Sequence, residues 1–480
     1  MSRHSLLLEE TAKHIQTLQG RKSKLLREVH EIDQELWDAQ ARHAKLVNLT
    51  APVSKLPNEL LVEIFQTCQG ERVWGGSRTR TPFEVIASHV STHWRGIALG
   101  TPLLWNDIHI TVTPRTNVFD RAMHRLTAYL TRSDPSLVDI LLQIMVPEKV
   151  PGFLHELTPH AIRWHRVSIS ISPGCSPNDI YGPLRNVAAP ALMHLSLHAE
   201  VSDGRVDPRN EYPDHCPPIL TGGSPSLSFV RVSGVVVGNL IPPLRAVTTL
   251  DIDARPKMLM SLSQFQDMLS QPLQLVNLSL TGLNIQLLRD PLNLSHPSPL
   301  PALRSLRIRG TATPCHRLLS FMSLPNLENL SLHAIHAFDS AVIPSLRSLT
   351  LDGCMLADGD LQNIIRAFPN VSALSVDEAI PAIFDLLKPN PSPVWPGLRT
   401  LTLRDLPPTD VLPLNVMVYS RLNSDAPLHK MFVDRRSRAS LRLKNSYNPL
   451  SEVVPLVRCD DLAPWPLDLG YEDPDDIYHY

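Results

Sequence analysis

His89 and His93 stand four residues apart, the spacing at which two imidazoles on one helix face can share a metal ion. The zinc-peptidase form of that pair carries a glutamate after the first histidine, and here Val90 stands there instead. Both histidines therefore read as surface or packing residues. His155-Glu156 is followed by His160 one residue too late, and Pro159 would break the helix such a site needs. Phosphate chemistry lacks its cradle, since neither Gly-x-Gly-x-x-Gly nor a Gly-Lys-Ser/Thr loop occurs. The Gly-x-Ser-x-Gly elbow of serine hydrolases is also missing, and the acidic residues are dispersed without a recognisable acid–base pair. The expectation is a protein with no catalytic residues, no metal ligands and no cofactor.

Charge narrows the partners. The chain has 480 residues, with 45 Lys and Arg against 47 Asp and Glu, a net charge of −2. Nucleic-acid binders take most of their affinity from phosphate contacts and advertise a basic domain; no nucleic-acid partner is expected here. The cluster Arg435, Arg436, Arg438, Arg442 and Lys444 reads first as a solvated face and second as a nuclear-import signal. Leu6-Leu7-Leu8 is too short for the core of a signal peptide, and no stretch reaches the roughly 18 apolar residues of a membrane span. Cysteines 68, 175, 216, 315, 354 and 459 form no Cys-x-x-Cys pair, as expected of reduced thiols in the cytoplasm or nucleus. The Asn-x-Ser/Thr sites at Asn277, Asn329 and Asn370 then follow from repeat composition.

The elements that would position any binding residue fall into four segments. Residues 1–50 read as one long helix: 5–49 contain no proline and are rich in good helix formers. A heptad places Leu8, Ile15, Lys22, Val29, Leu36 and His43 on one seam position. Thr11, Leu18, Leu25, Ile32, Ala39 and Leu46 occupy the other, so nine of the twelve are apolar. Such a seam either self-associates or folds back on its own chain. Residues 51–104 change character. Pro57 opens a helix whose Leu60, Leu61, Ile64 and Phe65 share a face. A polar loop spans 69–81, and Pro82 opens a second helical pattern from Phe83 through Trp94, Ile97 and Ala98.

From 105 to 434 one pattern recurs, Leu-x-x-Leu-x-Leu, often with proline two residues ahead. Clear copies begin at Leu192, Leu303, Leu327, Leu346, Val371 and Leu398, others at Trp164, Leu227, Val247, Leu275 and Leu428, and weaker ones at Trp105 and Leu137. Starts at 247, 275, 303, 327, 346, 371 and 398 are 28, 28, 24, 19, 25 and 27 residues apart, the period of leucine-rich repeats. Each copy predicts a short strand that cannot bury its leucines alone. Helical patterns follow at 265–269, 318–322, 361–368 and 383–387, and polar loops interrupt near 199–224 and 286–300. The fold class is therefore α/β: an N-terminal helix or coiled coil, a small all-α module, then an irregular solenoid of short parallel strands with helices or loops on the convex side. Residues 435–480 read as an extension ending in a loose acidic tail.

Leu56-Pro57-x-Glu59-Leu60-Leu61-x-x-Ile64-Phe65, then Val90-Ser91-x-x-Trp94-Arg95-x-Ile97-Ala98 and Thr101-Pro102-x-Leu104-Trp105, resembles the F-box. With the N-terminal helix and the repeats, the chain is similar to fungal F-box proteins with divergent leucine-rich repeats. Ser91 and His93 depart from the family, which often has Cys and a basic residue there, and the 69–81 loop lengthens the box. The resemblance implies a substrate-recognition adaptor of a cullin–RING ubiquitin ligase. Its box would bind the Skp-type adaptor through Leu56, Pro57, Leu60, Leu61, Ile64, Phe65, Trp94 and Ile97. Some of these would instead pack the box's own helices, Leu61 and Ile97 more than Leu56 and Pro57. The repeats would bind a protein target. Residues between the leucines would form its polar strip: Arg307, Arg309, Ser331, His333, Thr350, Asp352, Ser375, Asp377, Thr402 and Arg404. An ordinary solvated sheet face is the plainer alternative for that strip. The rival functions are a ligase-independent protein-binding scaffold and, behind it, an enzyme built on repeats.

Overall fold

The proline-free N-terminal stretch is helical throughout: in a computed structural model of the chain, helix α1 runs Arg3–Thr50, 48 residues or about 72 Å. The structure describes residues 3–69, 81–114, 118–172, 174–175, 177–199, 218–234, 241–254, 259–286, 297–310, 313–339, 342–377, 381–389, 394–424 and 426–459. Most of the expected loops at 69–81, 199–224 and 286–300, and the acidic tail, lie outside them. The chain divides into two compact units, the first ending at Leu104 and the second beginning at Trp105. No helix among the described residues is long and apolar enough to cross a membrane.

In the first unit, Pro52 follows α1 with a short 3-10 turn, and Pro57 sits at the N-cap of α2 (Asn58–Cys68). The helical pattern after Pro82 is two helices rather than one, α3 (Phe83–Val90) and α4 (Thr92–Leu99). Ser91 makes the break. Its backbone is extended, and its hydroxyl accepts the Trp94 amide at 3.1 Å, the capping role serine prefers to a helix interior. His89 and His93 consequently sit on different helices, and the stacking implied by their spacing is lost.

The second unit is built on one parallel sheet of 14 strands in which each strand lies beside its sequence neighbours. We number them β1 (Asp107–Val112), β2 (Val138–Ile144), β3 (Trp164–Ile171), β4 (His194–Ala199), β5 (Phe229–Gly234), β6 (Thr249–Asp253) and β7 (Asn277–Thr281). There follow β8 (Ser305–Arg309), β9 (Asn329–His333), β10 (Ser348–Asp352), β11 (Ala373–Asp377), β12 (Thr400–Arg404), β13 (Lys430–Val433) and β14 (Leu456–Arg458). Every Leu-x-x-Leu-x-Leu copy supplies one strand. Equivalent leucines pair across the ladder, as Leu306 with Leu330 and Ile308 with Leu332. Leu330, Leu332, Leu349, Leu351, Leu374 and Leu401 are buried, so the alternation of the sequence is the alternation of the pleat. The first leucine of each copy, such as Leu303, Leu327 and Leu346, is buried just ahead of its strand.

Parallel neighbours require a crossover. Helices Leu262–Ser270, Cys315–Ser320, Asp358–Ala367 and Pro381–Leu386 fall in four of these connections, where the helical patterns predict them. The Asn326 side chain donates to the Pro301 carbonyl and Asn370 donates to that of Pro344, both at 2.8 Å, stapling successive turns. The residue after several strands takes a left-handed conformation: Gly310 (φ 47°) and Gly353 (φ 55°), but also Ala334 (φ 52°) and Asp405 (φ 46°). The expected boundary at 434 falls inside this architecture. Asp434 caps the next helix, Arg435–Leu443, and β14 pairs with β13 beyond it.

Candidate functional site

In the first unit, α3 is inside out. Its buried residues are Glu84, Ala87 and Ser88, whereas Ile86 and Val90, one turn apart, are 49% and 52% exposed. On α2, Leu60 and Ile64 form a second exposed pair, at 45% and 42%. Pro57 is exposed, while Leu56, Trp94 and Ile97 are half-buried. Leu61 and Phe65 are fully buried. The Phe65 ring packs against Phe83 at 5.7 Å and Trp94 at 4.8 Å. Of the eight residues expected to meet an adaptor, Leu61 and Phe65 are thus core side chains of this unit and offer a partner no surface. Ile86 and Val90, absent from that set, were signalled by their apolar i, i+4 spacing.

In the second unit, the positions between the leucines form rows across the sheet. One row contains Arg231, Asp251, Ser279, Arg307, Ser331, Thr350, Ser375 and Thr402 on β5 to β12. Its first half is sealed. Asp251 accepts hydrogen bonds from Arg231 Nε at 2.8 Å and Arg307 Nη2 at 3.4 Å, and Arg307 Nε donates to Ser279 at 3.0 Å. Burial pushes the Asp251 carboxyl up, but the charges of Arg231 and Arg307 outweigh it and hold it below the usual carboxylate range. Arg307, expected on the recognition strip, is only 3% exposed. It is an internal counter-charge and leaves the strip.

The other expected strip residues stay together and reachable. Arg309, His333, Asp352, Asp377 and Arg404 are half-buried at the ends of adjacent strands β8 to β12. His333 Nδ1 lies 2.5 Å from Asp352 Oδ2, and Ser331 Oγ lies 2.9 Å from His333 Nε2. Arg404 Nη1 is 3.8 Å from Asp377, and Asp377 and Arg404 both act on the Asp352 carboxyl. For Asp352, burial raises the pKa, but the hydrogen bond from His333 and the neighbouring charges bring it below its ordinary value. Burial lowers the pKa of His333, and Arg309 lowers it further against the pull of Asp352. The imidazole is therefore neutral near pH 7. A carboxylate only accepts, so Nδ1 carries the proton and Nε2 accepts the Ser331 hydroxyl.

That order, serine to Nε2 and Nδ1–H to carboxylate, is the connectivity of a hydrolase triad. An oxyanion hole would also be needed. The strand carrying Ser331 and His333 is paired on both sides, so its own amides are committed to the ladder. A mixed-charge docking surface needs no such addition. Neither the relay nor the Asp251 network has a motif in the sequence, because each is assembled by register from strands about 20 to 30 residues apart. No protein-family model matches the chain, and no curated protein is significantly similar to it.

Proposed function

We propose that the chain is the substrate-recognition subunit of a cullin–RING ubiquitin ligase, with residues 51–104 binding a Skp-type adaptor and the repeat strands binding a protein target. What carries the reading is the inverted helix α3. A helix that buries Glu84 and Ser88 while exposing Ile86 and Val90 loses apolar burial unless another molecule covers that face. The F-box resemblance of Leu56 through Trp105 says which molecule. The docking set becomes Pro57, Leu60, Ile64, Ile86 and Val90, with Leu56, Trp94 and Ile97 at its edge. On the second unit, Arg309, His333, Asp352, Asp377 and Arg404 are the target-facing residues, in a leucine-rich-repeat solenoid of the cytoplasm or nucleus.

The test is capture of the full chain by purified Skp-type adaptor. Leu60→Asp with Ile64→Asp should abolish capture without unfolding the chain, because both side chains are already exposed and burying two charges costs several kcal/mol. Failure of the adaptor to capture the intact, folded chain would remove the adaptor reading. Capture that survives both this pair and Ile86→Asp with Val90→Asp would move the docking surface off these two helices. Adaptor binding without cullin recruitment would favour the ligase-independent scaffold.

A second reading has one observation in its favour, the Ser331–His333–Asp352 relay. A fluorophosphonate probe that labels the native chain, but neither Ser331→Ala nor His333→Ala, would establish a nucleophilic serine. An unlabelled chain leaves the relay as a docking element.

A further inference from the structure

α1 is a long amphipathic helix with its seam uncovered. Every side chain from Leu7 to Thr50 is exposed, and thirteen large apolar ones between Leu7 and Leu49 are more than half exposed. Among the described residues of the first unit, none covers that seam. A six-heptad seam of this kind is covered by another helix, and the distribution of charge along α1 identifies which helix and in which direction.

Consider a second copy lying parallel and in register. Lys22 would face Lys22 of its twin in the seam, and His43 would face His43. The flanking contacts run from each g residue to the e residue five positions on. Glu28 would then meet Asp33 twice, while Arg21 would meet Leu26 and Glu35 would meet Gln40. That arrangement collects like charges and gains no opposite pair.

Reversing the second copy, with residue 8 level with residue 46, changes each of these contacts. The seam layers become Leu8 with Leu46, Ile15 with Ala39, and Leu18 with Leu36, each occurring twice. Leu25 meets Val29, and the two polar outliers Thr11 and His43 meet each other. Lys22 faces Ile32, along which its aliphatic stem can lie while its ammonium reaches water. In the flanks, Arg21 meets Glu35 twice, Leu26 meets its own counterpart, and the one like-charge contact left is Glu28 with Glu28.

We infer that the chain forms a homodimer through residues 5–49 arranged as an antiparallel coiled coil, with Arg21 of each copy beside Glu35 of the other. The reversed register sends the two chain continuations at Thr50 to opposite ends of a rod about 70 Å long. The dimer is thus a spacer, and it is independent of what either unit binds.

Sedimentation equilibrium of the full chain tests this. The intact chain should be a dimer. Arg21→Glu and Glu35→Arg should each raise the dimer dissociation constant about tenfold or more, since each turns two attractive contacts into repulsive ones. The double swap, Arg21→Glu with Glu35→Arg, should restore it. A parallel pair would show no response to either single change, because both residues there face uncharged partners; that result would overturn the antiparallel assignment. A monomer at tens of micromolar, with α1 helical by circular dichroism, would overturn the dimer altogether.

Discussion

Strands β3–β8 and strands β9–β12 share one sheet and one register, yet they treat the positions between the leucines in opposite ways. In the first group both faces are largely buried: β5 is buried at all six positions, and β4 and β6 at all but one. In the second group burial alternates strictly, leaving every other side chain half-exposed. A charge in the first group has to be matched inside the protein, as Asp251 is by Arg231 and Arg307. A charge in the second keeps water as an alternative partner, as with Asp352, Asp377 and Arg404. The same repeat position is thus sealed in one half and partly open to solvent in the other. Burial makes the difference; residue type does not.

The largest effect that separates the halves should come from Asp251→Ala. It strands two guanidiniums in a site that is almost dry, and breaking a buried ion pair in this way costs about 3–5 kcal/mol. Asp352→Ala should cost about 1 kcal/mol, since its partners are only partly shielded. Urea midpoints of the two variants, read by circular dichroism, compare them directly. Equal losses would mean that the contrast in burial has no energetic content.

Acid should find the first half before the second. His194 on β4 is buried and stacked on Phe229, ring centroids 4.2 Å apart. Burial, reinforced by Arg231 and Arg166, pushes its pKa down to about 3. The unfolded chain takes up that proton near pH 6.5 and the fold does not, so protons accumulate preferentially on the unfolded form as the pH drops. The contribution is complete above about pH 6.5 and is lost at about 1.4 kcal/mol per unit from there towards pH 3. His194→Phe keeps a ring against Phe229 and removes the proton. It should flatten the fall in urea midpoint between pH 7 and 5 relative to the parent chain. His333 is also lowered, but it is less deeply buried, so His333→Gln should flatten that fall by less. The reverse ranking would place the acid-sensitive element in the half whose burial alternates.

Much of this was legible in the sequence because periodicity is a local signal. The repeat starts, the proline stops and the heptad of α1 each need only their own 10 to 40 residues, and each reappears as a strand, a turn or a helix. The single helix expected after Pro82 split because Ser91 prefers capping to propagation, and one serine is a weak signal among apolar neighbours. Arg307 and Phe65 were assigned to surfaces by type and position, and both are buried. For Arg307 the deciding facts are the acidic partner 56 residues away and the serine beside it. For Phe65 they are Phe83 and Trp94 on the other helices. Periodicity says which face a residue shares; it does not say whether that face is covered.

Arg307 and Arg404 allow the smallest and sharpest comparison, because charge reversal at the two should dissociate stability from recognition. Arg404 stands 3.8 Å from Asp377 with its side chain 14% exposed, a contact worth at most about 1 kcal/mol. Arg404→Glu should therefore melt within a few degrees of the parent chain. It would nevertheless place a third carboxylate beside Asp352 and Asp377, turning a mixed surface acidic. Proteins that co-purify through the parent chain's strip should be lost from it, because like charges across an interface cost both association rate and affinity. Arg307→Glu would put a second carboxylate against Asp251 in a buried site, so it should lose its fold and every partner of that unit together. If Arg404→Glu keeps all of the parent chain's partners, the strip on β9–β12 is a solvated sheet face. The target-binding surface must then be sought elsewhere on the second unit.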